Sequence, residues 1–232
     1  MLPNVWDAAS AKVVVAAGFS VVATTSAGIA SSLGYEDHQG APAAEMFDAA
    51  ARIGKSVDVP LTVDAEAGYG MTPGGLVHEL LEIGAAGCNL EDTDHTNGSL
   101  VDTSRQAEWL AAVRQAADER DYRLVINARV DVFIADHGAY PQHELLDEAI
   151  SRAHAYCAAG ADCVFPIFLC DAEATAEFIK AVEVPVNILA LPQAPPIAQL
   201  AELGVARVSY GSLLHRHTMR QLTTFLTDQI SG

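Results

Sequence analysis

Positive charge is scarce in this sequence. Its 232 residues carry 13 lysines and arginines against 30 aspartates and glutamates, a formal net charge of −17. A phosphate-rich surface would repel such a chain, so no nucleic-acid partner is expected. Most of the acidity reads as a solvated surface. Long apolar runs are missing too, and nothing approaches the roughly 20 residues that would span a bilayer. The opening residues Met1-Leu2-Pro3-Asn4-Val5-Trp6-Asp7 have no basic stretch followed by an apolar one, so they do not read as a signal peptide. A cytoplasmic protein with no membrane partner is the expectation. Cysteine is limited to Cys88, Cys157, Cys163 and Cys170, with no C-x-x-C pair. Buried free thiols in a reducing compartment are therefore expected, Cys88 and Cys163 lying in apolar runs. The chain also lacks a glycine-rich first turn, reading Trp6-Asp7-Ala8 there, which disfavours an open nucleotide-binding sheet. It has no low-complexity linker, so one domain over residues 1–232 is expected.

Apolar material is plentiful, at 50% of the residues. Short runs rich in Val, Ile, Leu and Phe fall at 2–5, 21–24, 61–64, 87–91, 124–129, 162–166, 185–190 and 205–210. They do not alternate with polar residues, as befits strands buried on both faces. Amphipathic segments lie between and after them, at 8–17, 43–56, 73–85, 104–120, 144–159, 171–180, 195–203 and 213–230. Starting prolines and trailing glycines punctuate several of these segments. One phrase recurs at 16–19, 84–88 and 158–162: a helix end, a glycine and a strand entry. Eight such units predict an α/β protein of the (β/α)8 barrel class.

In such a barrel the chemistry sits at the carboxyl ends of the strands. The third run ends Asp64-Ala65-Glu66-Ala67-Gly68-Tyr69-Gly70 and the fourth ends Glu91-Asp92. On a strand, the two-residue spacing of Asp64 and Glu66 puts both on one side. Asp64, Glu66 and Glu91 crowded together need a cation or a shared proton. An all-oxygen set suits Mg²⁺, with Mn²⁺ as the alternative; a solvated acidic rim is the plainer reading. The fifth run ends with Arg129, which is costly in an apolar strand unless paired. It is either an anchor for an anionic substrate or half of an ion pair with Glu91 or Asp131. After the second run, Thr25, Ser26 and Ala27 open a Gly/Ala-rich turn whose hydroxyls and amides could hold a carboxylate. His95 is the one residue of loop 93–99 able to move protons near neutral pH, against the plain reading of an exposed loop histidine. His78, His143, His154, His215 and His217 read as surface residues. Trp6 is a candidate pocket floor, with simple packing as the alternative, and Asn187 in the seventh run is a further substrate-binding candidate.

The ordered motifs Asn-Val-Trp-Asp, Thr-Thr-Ser-Ala-Gly, Leu-Gly-Tyr-Glu-Asp, Asp-Ala-Glu-Ala-Gly-Tyr-Gly, Gly-Cys-Asn-Leu-Glu-Asp and Asn-Ala-Arg-Val-Asp resemble the isocitrate lyase/phosphoenolpyruvate mutase superfamily over nearly the whole chain. The resemblance implies a (β/α)8 barrel in a homo-oligomer, dimer or tetramer, that binds Mg²⁺. It implies cleavage or formation of a C–C or P–C bond beside an α-oxo acid, through an enolate. By position, Asp64 becomes the main metal-linked carboxylate, and Glu66, where the family usually has Asp, and Glu91 complete the shell. Thr25, Ser26 and Ala27 hold the substrate carboxylate, Arg129 stabilises the enolate, and Asp37 is an acid near the site. The chain departs from the pattern in three places. Loop 93–99 lacks both the lyases' cysteine and the phosphonomutases' lysine, although Asn97 is placed to match the latter's asparagine. The sixth run ends Phe165-Pro166-Ile167-Phe168, without the family's His or Glu. No helix is expected before the first strand or beyond about residue 230. The leading expectation is a Mg²⁺-dependent lyase or decarboxylase of a small α-oxo or 2-hydroxy carboxylate. The alternatives are a phosphonomutase-type enzyme acting on a phosphonate and a non-catalytic ligand-binding barrel.

Overall fold

The computed structural model describes residues 1–135 and 140–231. Eight parallel strands form its centre: β1 (Asn4–Val5), β2 (Val22–Thr24), β3 (Leu61–Asp64), β4 (Gly87–Glu91), β7 (Val125–Val130), β8 (Cys163–Pro166), β9 (Asn187–Leu189) and β10 (Arg207–Ser209). Two further short strands, β5 (Thr93–Asp94) and β6 (Ser99–Leu100), make a separate antiparallel ribbon. The first six central strands pair in the order β1-β2-β3-β4-β7-β8, and β9 pairs with β10. Single parallel bridges, Val164 to Val186 and Leu2 to Ser209, join the two sheets and close the ring. The result is the (β/α)8 barrel, a closed sheet with no free edge.

Among the described residues ten helices accompany the strands: α1 (Ala8–Ala16), α2 (Ser26–Leu33), α3 (Ala43–Gly54), α4 (Pro73–Ile83), α5 (Thr103–Asp118), α6 (Val132–Ala135), α7 (Leu146–Ala158), α8 (Ala172–Ala181), α9 (Ile197–Glu202) and α10 (Leu213–Ser231). Their starts follow the local chemistry. Asp7, Thr25, Thr72, Asp102 and Asp171 each accept an amide hydrogen bond at a helix N-terminus. Gly34 and Gly84 take the left-handed conformation that ends α2 and α4. Residues 26–33, read as part of a loop, form a helix because Thr25 caps the Gly28 amide. The segment read as a helix from 144 is helical only from Leu146, after a 3₁₀ turn at Gln142–Glu144. The run 205–210 narrows to three strand residues.

The strands bury both faces, as their unbroken apolar runs require: β4 and β8 are buried at every residue. Cys88 and Cys163 are buried free thiols, as expected. One ion pair stands inside the packing between barrel and helices. Asp92, just past β4, lies 3.1 Å from Arg152 of α7, accepts the Tyr156 hydroxyl at 2.6 Å, and accepts the Asp131 amide at 2.8 Å. Both oxygens of this buried carboxylate are thereby engaged, which offsets part of its desolvation. The arrangement pins α7 beneath the residues that follow β4 and β7, where the polar strand ends gather. His215 corrects a surface assignment: it is buried, with its ring edge-on to Trp6 at 5.0 Å.

Candidate functional site

A cavity of about 340 Å³ opens at the carboxyl ends of the strands. Thr25, Ser26, Ala27, Asp37, Asp64, Glu66, Glu91 and Arg129 all line it. Of the candidate residues, these eight share the cavity. Asp64 and Glu66 do not share one side of a strand as expected, because β3 stops at Asp64. Glu66 and Tyr69 adopt φ of 47° and 53°, a left-handed geometry that costs free energy at a non-glycine residue. Gly68 between them also has positive φ, and a Cβ there would meet the Trp109 ring at 2.7 Å. This tight turn, not an extended strand, swings Glu66 into the cavity, where the Tyr69 hydroxyl donates to its Oε1 at 2.6 Å. The Gln39 amide donates to Oε2 at 2.7 Å.

Arg129 sits between two carboxylates. Its Nη2 lies 2.5 Å from Glu91 Oε2, and its Nε and Nη2 donate to Asp131 at 2.6 and 2.8 Å. Both of the ion-pair partners considered for it are thus present. Glu91 is register partner to Arg129 across β4 and β7, which is why they meet. The other Glu91 oxygen lies 2.5 Å from His95 Nε2. His95 is therefore not an exposed loop residue: its side chain is 9% accessible. The ribbon β5–β6 folds it back over Glu91, and it lines a neighbouring cavity with Gln39, Thr93 and Arg105. Glu91 lines both cavities and forms the wall between them.

Four candidates fall outside the main cavity's described lining. His95 is one. Trp6 faces an apolar groove between α1 and α10. Asn97 is exposed in the ribbon's turn, donating to Asp94 and accepting from Ser99. Asn187 is buried in the barrel, donating to Ser209 Oγ at 3.0 Å. Several lining residues escaped the sequence reading. Asn4 accepts the amides of Tyr210 and Gly211, closing the barrel mouth between first and last strands. His38, Ser212 and Arg216 also line the cavity, from loops and a helix whose spacing carries no signal.

The donors of this site fit a hard cation. Asp64 Oδ2 accepts the Ser26 amide at 3.1 Å, while Asp64 Oδ1 and Asp37 Oδ1 are buried without a partner. Glu66, Glu91 and His95 offer donor atoms within 4.8 Å of one another. That second set is internally engaged, because both Glu66 oxygens accept hydrogen bonds and both Glu91 oxygens face a cationic or imidazole nitrogen. The orphaned Asp64 and Asp37 oxygens therefore mark the better cation position, with the glutamates beside it.

Burial raises the Glu66 carboxyl to about 7, with the Tyr69 hydroxyl opposing and the charges of Asp64, Glu91 and Asp37 adding to the rise. Glu91 is also pushed well up, by burial first, with Arg129 opposing. His95 is lowered, chiefly by burial. A folded carboxyl with a raised pKa holds its proton more tightly than the unfolded chain does. Stability without metal should consequently fall as pH rises from about 4.5 to about 7, by on the order of 3 kcal/mol for a shift of the Glu66 size. Thermal melts across this window should show the midpoint dropping, and a saturating divalent cation should flatten the drop. A metal-free midpoint that rises with pH would contradict this electrostatic picture.

Comparison with known proteins adds an independent line. The sequence profile described as phosphoenolpyruvate phosphomutase matches residues 1–229. An uncharacterised protein of Mycobacterium tuberculosis (strain H37Rv) is 36% identical over 214 residues, 92% of this chain and 78% of the relative. The 2-methylisocitrate lyase of Bacillus subtilis (strain 168) is 32% identical over 199 residues, 82% of this chain and 61% of the enzyme. A crystal structure from Burkholderia cenocepacia J2315, provisionally described as a phosphonomutase, superposes with a TM-score of 0.91 at 39% identity, covering 97% of this chain and 92% of that one.

Proposed function

The chain belongs to the phosphoenolpyruvate phosphomutase family, a family of lyases and mutases, and from that premise we propose that it is a lyase cleaving a C–C bond beside a small α-oxo or 2-hydroxy carboxylate. Mg²⁺, with Mn²⁺ as the alternative, is the proposed cofactor. The observation that carries this reading is the meeting of Asp64, with a buried unpartnered oxygen, and Arg129 in one cavity. Asp64 and Asp37 would hold a divalent cation, which would supply Lewis-acid polarisation of a bound substrate. The chain's own residues supply the rest. The first turn of α2, at Thr25, Ser26 and Ala27, lines the cavity with its positive end and suits the substrate carboxylate. Arg129 faces the negative charge that develops as the C–C bond's electron pair becomes an enolate. Asp37 and Glu91 are the acids on the cavity side, and His95 behind Glu91 passes a proton to and from the neighbouring cavity.

The Burkholderia structure favours a second reading, P–C bond chemistry on a phosphonate. Charge weighs against it. The Arg129 charge is matched by Glu91 and Asp131, and the other arginine among the described lining residues, Arg216, sits exposed on α10. A panel of 2-hydroxy and 2-oxo carboxylic acids and phosphonopyruvate, assayed with Mg²⁺ for release of a carbonyl product, separates the two. We expect turnover of a carboxylate and not of phosphonopyruvate. Arg129→Ala should lower that turnover by at least about 100-fold. Arg129→Lys, which keeps the charge facing Glu91 and Asp131, should retain the fold and recover only part of the rate. Full activity of Arg129→Ala would remove the enolate role.

We also propose a homo-oligomer, dimer or tetramer, of single-domain chains, located in the cytoplasm; no helix of the described residues is long and apolar enough to cross a membrane. Support for self-association comes from α10, whose Met219, Leu222, Phe225, Leu226 and Ile230 are 40–87% exposed at helical spacing. Sedimentation should give at least a dimer at micromolar concentration, and Phe225→Asp with Leu226→Asp should shift it toward monomer. A wild-type monomer at that concentration would end this part of the proposal.

A further inference from the structure

The cavity has two unlike sectors. From β10 through β1, β2, β3 and β4 to β7, its wall is polar, with Ser209, Asn4, Thr25, Asp64, Glu91 and Arg129. Across β8 and β9 it is apolar. Phe165, Ile167 and Leu189 form a buried cluster of their own, apart from the main core, with Ile134 and Leu191 packed against it. All five line the cavity, as does Phe168. The change is abrupt: Phe165 on β8 is the register partner of Arg129 on β7, and Leu189 on β9 is the partner of Ser209 on β10.

We infer that this apolar sector receives an uncharged aliphatic group, so that the preferred substrate bears an alkyl substituent where a second carboxylate or a phosphonate would otherwise sit. The inference rests on the reading of the polar sector as an α-oxo carboxylate site and names the class of substrate that site takes. An anion placed against β8 and β9 loses its hydration and finds no replacement. Two main-chain amides there are already donated, Ile167 to Phe165 O and Leu191 to Leu189 O, each at 2.8 Å. No lysine, arginine or histidine is among the described lining residues that these two strands and the turn after β8 contribute. An alkyl group, by contrast, gains free energy from leaving water and fills the space beside Phe165, Ile167 and Leu189.

The wall is also held in shape. Phe168 has φ of 66°, a strained conformation for a bulky side chain. Gln142 fixes it from the 3₁₀ turn: Nε2 donates to Phe168 O at 2.6 Å, and Oε1 accepts the Cys170 and Asp171 amides at 2.8 Å each. A single side chain thus clamps the turn after β8 at three points, which makes Gln142 a positioning residue for the apolar wall.

The test is a competition series on the full chain with Mg²⁺, each ligand displacing bound oxalate. Pyruvate, 2-oxobutanoate and 2-oxopentanoate lengthen the tail one methylene at a time; 2-oxoglutarate and phosphonopyruvate end it in charge. Affinity should rise about fourfold with each added methylene, and the two charged ligands should bind no better than pyruvate. Ile167→Arg should reverse the order in favour of 2-oxoglutarate by about tenfold, the scale of a charge-assisted contact. Should that variant lose its cooperative melt, Leu189→Ala serves in its place and should flatten the dependence on tail length. Gln142→Ala should weaken the tail preference without changing its direction. Equal binding along the alkyl series, or a charged ligand winning in the wild type, would overturn the inference while leaving the oxalate site standing. Failure of oxalate itself to bind would remove the underlying functional reading and this inference with it.

Discussion

Charge of one sign, packed into a space with little water, governs this molecule. Asp64, Glu66, Glu91 and Asp131 crowd the end of β3, β4 and β7, and Arg129 is the guanidinium set among them. Such a cluster is stable only if each carboxylate is matched by a proton, a hydrogen-bond donor or a cation. The surrounding structure supplies donors one by one. Tyr69 and the Gln39 amide serve Glu66, the Ser26 amide serves Asp64, and Thr93 serves Asp131 at 2.5 Å. The left-handed turn at 66–70, the helix start at Thr25 and the ribbon that carries His95 all find their purpose in this matching. One oxygen each on Asp64 and Asp37 stays buried without a hydrogen-bond partner, and these are the atoms proposed to hold the cation.

Much of this was legible beforehand, because barrel strands and their ends leave strong marks. Unbroken apolar runs told of strands buried on both sides, and the repeated helix-glycine-strand phrase told of eight units. Asp64, Glu66, Glu91, Arg129, Thr25, Ser26, Ala27 and Asp37 share a cavity because strand ends share a rim. What stayed hidden depended on tertiary geometry. Nothing in Ser26–Leu33 has the periodicity of a surface helix, since its start is fixed by the Thr25 cap and its buried residues pack inward. The loop 93–99 gave no sign that β5 and β6 would pair and fold His95 onto Glu91. Asn97 belongs to that same ribbon's turn and points away. Trp6 and His215 meet edge to face although they lie at opposite ends of the chain, a contact that no local pattern encodes.

The division of the cavity gives the family's chemistry a particular setting here. The polar sector carries the groups proposed to hold a carboxylate and to meet the charge of an enolate. The apolar sector on β8 and β9 occupies the place where the chain departs from the family pattern at Phe165-Pro166-Ile167-Phe168. Loss of a polar residue there is therefore not an isolated gap, because Leu189, Leu191 and Ile134 from other elements complete the same surface. One continuous apolar surface built from three parts of the chain supports the alkyl-tail specificity inferred above.

The most direct measurement is thermal unfolding with Mg²⁺ and oxalate, a mimic of the pyruvate enolate, for wild type and Asp64→Ala. Ligand at about 100 times its dissociation constant adds roughly 2.7 kcal/mol, which raises the midpoint of a domain this size by several degrees. The account predicts a rise in wild type that requires both Mg²⁺ and oxalate and that vanishes in Asp64→Ala. An unshifted wild type, or an equal shift in the variant, would contradict a cation-dependent enolate site built on Asp64.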